Sequence, residues 1–182
     1  MSTQPEITAS DPPSMKRDDR DEAEFLTRID RHAGIVRKVA LSYGRTAADR
    51  RDLEQEIVAQ LWKSYPRFDG TRSFSTWMYR VALNVAISIA RGQRWQEGEA
   101  ASVDDDDSLA HDGSVEHAQS LAELRAFIAG LDELNRALIL LYLDELSYRE
   151  IADILGISET NVATKIHRVK QSLRARMNPQ GE

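Results

Sequence analysis

Residues 158–168 bring hydroxyl, amide and cationic side chains to one exposed face of a predicted helix. The side chains are Glu159, Thr160, Asn161, Thr164, Lys165 and Arg168. Hydroxyls, amides and cations are the groups that hydrogen-bond to base edges and phosphate oxygens. Lys170, Arg174 and Arg176 extend the positive charge along the same segment. The chemistry that these residues could support is therefore recognition of a nucleic acid.

Signals just before this segment predict how it is positioned. Ser147 and Glu150 stand three residues apart, as in a capping box that begins a helix. Gly156 is placed to end that helix in a left-handed turn, and Ser158 is placed to cap the next one. The buried seam of this next helix would consist of Val162, Ile166, Val169 and Leu173. With small Ala152 where the two helices approach, the pattern predicts a helix-turn-helix, whose second helix enters the major groove of DNA.

Helical periodicity also dominates the N-terminal half of the chain. It predicts one helix from Phe25 to Tyr43, a second from about Asp49 to Tyr65, and a third from about Phe74 to Arg91. Within the third helix, Trp77 shares a face with Val81, so we expect Trp77 to point inward and Tyr79 and Arg80 outward. No alternating strand pattern is visible, and the fold class is predicted to be all-α.

Charge divides the chain into segments. Its net charge is −6, but residues 25–92 hold twelve basic and six acidic side chains, a net charge of +6. Residues 93–120 hold one basic and eight acidic side chains, a net charge of −7, which includes the run Asp104 to Asp107. Such a run repels itself and favours an extended chain. We therefore expect two small helical domains joined by an acidic flexible linker. The predicted bounds are 1–21 for a disordered tail, 22–92 for the first helical domain, 93–115 for the linker and 116–178 for the helix-turn-helix domain.

Composition argues against several other classes of protein. The chain has no cysteine, which excludes disulfides and thiolate metal sites, and it has no apolar run long enough to span a membrane. Its four histidines, His32, His111, His117 and His167, are scattered, and no glycine-rich phosphate loop is present. We therefore expect a cytoplasmic protein that is not an enzyme and that needs no cofactor or metal.

Three motifs resemble those of bacterial RNA polymerase sigma factors of the sigma-70 family, in the two-domain extracytoplasmic-function (ECF) type. They are Asp52-Leu53-Glu54-Gln55-Glu56, the segment from Phe74 to Asn84, and the segment from Leu146 to Ala152. The resemblance implies a transcription initiation factor whose partners are core RNA polymerase, promoter DNA and an anti-sigma factor.

The resemblance also assigns roles to residues. Polymerase binding would fall to Asp52, Gln55 and Glu56. The residues expected at the minus-ten promoter element are Arg67, Phe68, Arg72, Tyr79, Arg80, Asn84 and Arg91, with the loop from Phe68 to Ser73 and Asn84 holding an extruded base. The residues expected at the minus-thirty-five element are Thr160, Asn161, Thr164, Lys165 and Arg168. The acidic linker would pass through a polymerase channel, although a simple tether explains its composition equally well.

Some positions depart from the family pattern, and one other function fits the C-terminal half. Ser88 stands where an Asp is frequent, and Thr160, Asn161 and Lys165 differ from the common residues of the reading helix, which predicts an unusual promoter preference. A helix-turn-helix regulator that acts without joining the polymerase is the alternative, and it would require a different domain upstream.

Overall fold

The computed structural model of the chain describes residues 17–96 and 123–177, and these residues are helical apart from short turns and a 3-10 segment. The described chain separates into two units between Arg31 and His32. The first contains helix α1 (Arg17–Arg31), and the second contains all the described helices that follow. The all-helical fold class predicted from the sequence is confirmed.

Helix α1 ends earlier than the sequence periodicity predicts. The helix expected from Phe25 to Tyr43 is in fact two helices, because His32 leaves the helical conformation with φ −121° and ψ 15°. Gly34 follows in the next turn, where its conformational freedom weakens any helix that would run through this point. Within α1, Glu24 and Arg28 form an ion pair of 2.6 Å one turn apart.

The N-terminal bundle, as we call residues 33–96, contains three helices. They are α2 (Ala33–Tyr43), α3 (Ala47–Ser64) and α4 (Phe74–Gln96), and the 3-10 turn Tyr65–Arg67 follows α3. Each helix packs against the other two. The side chains that they bury most completely are Val39, Ala40, Ile57, Leu61, Met78 and Ala82. These apolar faces give the bundle a shared core, as the sequence predicts.

The turns of this bundle are set by local contacts. Thr46 and Asp49 form a capping box at the start of α3. Gly44 lies so close to α3 that a Cβ atom there would meet the Cα atom of Arg50 at 2.9 Å, which only glycine tolerates. Helix α4 continues past Gly92 to Gln96, beyond the end expected at Arg91, because one glycine costs a helix only about 1 kcal/mol.

The C-terminal bundle, residues 123–177, contains four helices. They are α5 (residues 123–129), α6 (Glu133–Leu143), α7 (Tyr148–Leu155) and α8 (Glu159–Met177). Asp132 caps α6, since its carboxylate accepts the Asn135 N–H at 2.9 Å. Phe127, Ile139 and Val169 join α5, α6 and α8 in a buried cluster, and Leu173 packs against it. This core fixes the orientation of α8.

Several expectations fall on residues outside the described ranges. They concern most of the N-terminal tail, most of the acidic linker with Asp104 to Asp107, and two histidines, His111 and His117. At the edges of those segments, residues 17–21 belong to α1 and residues 93–96 belong to α4.

Candidate nucleic-acid interface

The turn between α7 and α8 has the geometry that the sequence predicts. Ser147 and Glu150 form the capping box of α7. Gly156 adopts the left-handed conformation, with φ 68°, and its N–H donates to the carbonyl of Ala152 at 2.9 Å. Ser158 caps α8, since its hydroxyl accepts the Asn161 N–H at 3.2 Å. Together these contacts confirm the helix-turn-helix arrangement.

Helix α8 has one buried and one exposed face. The predicted seam is confirmed: Val162, Ile166 and Val169 are buried, and Leu173 is half-buried. Four of the residues predicted to read the minus-thirty-five element are exposed, namely Thr160, Asn161, Thr164 and Arg168. The fifth, Lys165, is half-buried. The Thr164 hydroxyl donates to the Thr160 carbonyl at 2.9 Å. The face therefore presents amide and guanidinium donors to solvent.

Lys170 differs from the other cations of α8. Its ammonium lies 4.1 Å from the centroid of the Tyr142 ring and donates to the Tyr142 hydroxyl at 2.5 Å. Tyr142 belongs to α6, so this lysine joins two helices of the bundle. Lys170 thus has a structural contact in addition to its place in the predicted positive stripe.

The loop from Phe68 to Ser73 is held by its own side chains. Asp69 accepts hydrogen bonds from the Thr71 N–H at 3.0 Å and from the Thr71 hydroxyl at 2.8 Å, and these bonds lower the pKa of the Asp69 carboxyl. Gly70 supplies a positive φ of 71°. Ser73 accepts the Thr76 N–H at 3.1 Å and so caps α4. The loop is therefore preorganised beside the start of α4.

An aromatic cluster supports this loop. The ring centroid of Trp77 lies 5.2 Å from those of Phe68 and Phe74, and Phe68 and Phe74 are 5.5 Å apart in an edge-to-face arrangement. Tyr65 stacks on Phe68 at 6.5 Å, and His32 lies 5.7 Å from Phe74. Trp77 is thus half-buried in this cluster. The sequence singles out Phe68 as a contact for a base but does not reveal that three further aromatic rings support it.

The expectation that Tyr79 faces outward is wrong. Tyr79 is only 5% exposed, and its hydroxyl donates to the Asp144 carboxylate. Burial, with the Asp144 carboxylate second, raises the pKa of the Tyr79 hydroxyl. Tyr79 shares its helix face with buried Ala82, Leu83 and Ala86 at spacings of three, four and seven. That spacing was the signal in the sequence that could have identified it as buried.

The remaining residues predicted at the minus-ten element are exposed but do not form one site. They are Arg67, Arg72, Arg80, Asn84 and Arg91, whereas Phe68 is half-buried. Arg72 and Arg80 line a groove of about 830 Å³ together with Arg149 of α7. Asn84 lies ten residues beyond the start of α4, about 15 Å along its axis, and lines a different groove. The exposed Arg149 was not among the predicted contacts, although it lies in the capping-box segment.

The polar face of α3 has the predicted form. Asp52, Gln55 and Glu56 are exposed, while Leu53, Ile57 and Leu61 point into the core. Asp52 and Glu56 line the groove of about 660 Å³ that also contains Asn84 and Ser88. The Glu56 carboxylate accepts the Gln60 amide at 3.0 Å. This groove therefore has acidic residues on its α3 wall, whereas its α4 wall combines neutral polar residues with the apolar Val85 and Ile89.

The described residues were searched for a metal-binding group of side chains and for a membrane-spanning helix. Within residues 17–96 and 123–177, no three His, Asp or Glu side chains come together in a way that would hold a metal ion. None of the helices in the same ranges combines the length and apolar character needed to cross a bilayer.

Comparison with protein families gives two matches. Residues 28–96 match sigma-70 region 2, and residues 121–173 match sigma-70 region 4. The first match covers the N-terminal bundle and the second covers most of the C-terminal bundle.

Relatives match along most of the chain. The chain is 30% identical over 164 residues to the ECF RNA polymerase sigma factor RpoE of Cereibacter sphaeroides, covering 89% of this chain and 91% of the relative. It is 27% identical over 175 residues to the ECF RNA polymerase sigma factor SigW of Bacillus subtilis, covering 90% and 92%. A solved structure of the sigma factor RpoE in complex with the anti-sigma factor NepR, from Bartonella quintana, superposes with a TM-score of 0.64 at 19% identity, covering 88% of this chain and 98% of that one. This last likeness concerns the fold.

Proposed function

Because the chain belongs to the ECF group of the sigma-70 family, we propose that separate surfaces of the chain carry out the separate steps of a transcription initiation factor. As such a factor, it binds core RNA polymerase, recognises promoter DNA and promotes opening of the duplex. The observation that carries the assignment is the pair of matches, one to region 2 and one to region 4, in a single chain. Each step falls to a different part of the structure.

Recognition of the minus-thirty-five element is assigned to the exposed face of α8. Asn161 offers an amide that pairs with adenine edges, and Arg168 offers a guanidinium for guanine or phosphate. Thr160, Thr164 and Lys165 complete the set of contacts. The partial positive charge at the N-terminus of α8 adds attraction for a phosphate. The rigid turn at Gly156 supports this role, because it holds α8 at a defined angle to α7.

Opening at the minus-ten element is assigned to the loop from Phe68 to Ser73 and the cations around it. Extruding a base costs stacking energy, and an aromatic platform recovers about 1–3 kcal/mol for each base that stacks on it. Phe68 and the rings behind it supply such a platform. The cations that would hold the strand are Arg67, Arg72, Arg80 and Arg91. Asn84 and Tyr79 remain proposed contacts, although Asn84 lines a different groove and Tyr79 is buried.

Polymerase binding is assigned to Asp52, Gln55 and Glu56. Their side chains project from a helix whose opposite face is anchored in the core, so a partner would meet a rigid acidic surface. Opposite charge on the partner would favour both the rate and the register of docking. The resemblance names the coiled-coil clamp of the largest catalytic subunit as this partner.

Three further proposals follow from the role at the polymerase. An anti-sigma factor is proposed as the inhibitory partner, which the fold likeness to a sigma factor in complex with the anti-sigma factor NepR supports. The site of action is proposed to be the cytoplasm, and the acidic linker is proposed to enter a polymerase channel. No catalytic role is assigned to any residue.

The alternative of a regulator that acts without the polymerase is overturned. That function requires a different domain upstream of the helix-turn-helix, whereas residues 28–96 match sigma-70 region 2. The N-terminal bundle is therefore the part of the chain that distinguishes a polymerase-binding initiation factor from a regulator that acts without the polymerase.

Reconstitution with bacterial core polymerase tests the proposal. We expect the full chain to direct transcription from a defined set of start sites that core polymerase alone does not use. The double variant Asp52→Ala, Gln55→Ala should retain its circular dichroism spectrum yet copurify with core polymerase at least several-fold less than the parent. Glu123→Ala, which removes an exposed acid of α5, is the matched control. A start-site profile identical to that of core polymerase alone would overturn the proposed function, and unchanged copurification of the double variant would overturn the docking face.

A further inference from the structure

His167 is an exposed side chain of α8 that the contacts assigned above do not include. It forms no hydrogen bond, ion pair or ring contact with any other residue in the ranges 17–96 and 123–177. The other histidine of these ranges, His32, differs, because its ring centroid lies 5.7 Å from that of Phe74. The imidazole of His167 is therefore available to a partner outside the chain.

Helical geometry places His167 among the proposed reading residues. At about 100° per residue, the third residue after Thr164 lies about 60° to one side of it, and the fourth lies about 40° to the other side. His167 and Arg168 therefore flank Thr164 on the face of α8 opposite to the buried seam. Along the helix axis, His167 is about 10 Å from Thr160. One exposed face thus carries Thr160, Thr164, His167 and Arg168.

The surroundings of His167 on its own helix are cationic. The charged side chains within one turn of it are Lys165, Arg168 and Lys170. Lys170 is directed towards α6, where its ammonium lies 4.1 Å from the centroid of the Tyr142 ring. Arg168 is exposed beside His167. A proton on His167 therefore adds to a positive face, and such a face attracts a polyanion.

Helices α5, α6 and α7 pack against α8, and within the described ranges none of their acids forms an ion pair with His167. The acids are Glu123, Glu133, Glu150 and Asp153, and the other charged side chains of these helices are Arg125, Arg136 and Arg149. Asp153 is instead paired with Arg72 at 2.8 Å, and Glu150 accepts hydrogen bonds from Ser147. A positive charge on His167 thus finds no carboxylate partner in the part of the chain that the structure describes.

The imidazole ring can change its charge, whereas the guanidinium of Arg168 cannot. Histidine side chains gain a proton between about pH 8 and about pH 5, and both ring nitrogens are then donors. A charge-assisted hydrogen bond to a phosphate oxygen is roughly twice as strong as a neutral one. A phosphate contact made by His167 would therefore strengthen as the pH falls, whereas one made by Arg168 would stay constant.

We propose that His167 is a further DNA contact of α8, in which the protonated imidazole binds a backbone phosphate beside the bases read at the minus-thirty-five element. The proposal rests on the reading role assigned above to α8. Each phosphate that a cation neutralises releases counterions, so protonation of His167 adds one such contact. Recognition by α8 is therefore sensitive to pH at this position.

The slope of log affinity against log salt concentration reports the number of phosphate contacts. It is measured with the reconstituted holoenzyme and a fluorescein-labelled duplex that spans one of its start sites, at about pH 5.5 and about pH 8.5, where the imidazole is mostly protonated and mostly neutral. We expect the slope of the parent to be steeper at the lower pH by about 0.9 more than that of His167→Gln. The titratable groups of core polymerase are the same in both proteins, so this difference reports position 167.

Two variants bracket the parent. His167→Gln keeps a hydrogen-bond donor without the charge, and it should match the parent at the higher pH and bind about fivefold to tenfold more weakly at the lower pH. His167→Lys carries its charge at both pH values and should keep the steeper slope throughout. His117→Gln, which removes a histidine elsewhere in the C-terminal half of the chain, is the matched control and should keep the pH dependence of the parent.

A measurement on the full chain without polymerase separates this contact from the proposed function. Binding to a duplex of mixed sequence depends on phosphate contacts, so the same pH-dependent difference between the parent and His167→Gln is expected there. Differences that do not change with pH in either measurement would overturn the contact. If the free chain shows the pH dependence but the holoenzyme uses no start sites beyond those of core polymerase, the contact stands and the proposed function fails.

Discussion

Ser147 and Glu150 satisfy each other's backbone N–H groups at the start of α7. The Glu150 N–H donates to the Ser147 hydroxyl oxygen at 3.3 Å, and both the N–H and the hydroxyl of Ser147 donate to the Glu150 carboxylate, at 2.9 and 2.6 Å. The Ser147 hydroxyl is the main cause that lowers the pKa of Glu150 below its ordinary value of 4.5. The ionised carboxylate is therefore the form that stabilises the helix-turn-helix.

The pH dependence of stability follows from this pair. Because the folded-state pKa of Glu150 is lowered, its contribution is complete above pH 4.5 and is lost as the pH falls through the folded-state pKa. We expect the difference in unfolding free energy between the parent and Glu150→Gln, measured with urea, to shrink as the pH falls below that range. Ser147→Ala should cost about 1 kcal/mol at neutral pH. Glu145→Gln serves as the control, and an equal difference at all pH values would contradict the role of the capping box.

Gly156 allows a second prediction about the same turn. A Cβ atom there would meet nothing within 4 Å, so any cost of Gly156→Ala arises from its φ of 68° and not from a clash. We expect a loss of about 1–2 kcal/mol in unfolding free energy, the cost of the left-handed conformation for an ordinary residue. Asn adopts this conformation more readily, so Gly156→Asn should lose less. Equal losses for the two variants would show that the conformation of this residue is not what limits stability.

The helix-turn-helix of the C-terminal bundle could be predicted in detail because its signals are local in sequence. The capping box, the glycine and the seam from Val162 to Leu173 lie within one stretch of chain, and each signal acts on its neighbours. The break at His32 could not be predicted in the same way, because the apolar stripe continues across it from Phe25 to Tyr43. Periodicity indicates which face of a helix is apolar, but it does not indicate where one helix ends and the next begins in a new direction.

Tyr79 shows a second limit of sequence reasoning. Its hydroxyl finds its partner in Asp144, 65 residues away along the chain. No local spacing connects the two residues, so the sequence predicts helices and faces on each side but not the contact between them. The same reasoning applies to the pair of Arg72 and Asp153. Contacts between separate bundles depend on tertiary packing and require the structure.

Arg168 provides a prediction about promoter recognition. It is exposed on α8, whereas Lys170 contacts Tyr142. We expect Arg168→Ala to weaken binding of the reconstituted holoenzyme to its promoter and, if the contact is to phosphate, to reduce the slope of log affinity against log salt concentration by about 1. Arg125→Ala, which removes an exposed cation of α5, should leave both the affinity and the slope unchanged. Transcription equal to the parent's in Arg168→Ala would remove this residue from the proposed reading face.

Trp77 tests whether the aromatic cluster supports promoter opening. Its ring contacts both Phe68 and Phe74, and such pairs are worth about 0.5–1.5 kcal/mol each beyond their burial. Trp77→Ala should therefore loosen the loop from Phe68 to Ser73, lowering permanganate reactivity of the minus-ten region while duplex binding at the minus-thirty-five element stays near the parent level. Trp77→Phe retains a ring at this position and should keep most of the opening. If Trp77→Ala opens DNA as well as the parent does, the loop does not depend on the rings behind it, and Phe68 alone would have to supply the platform.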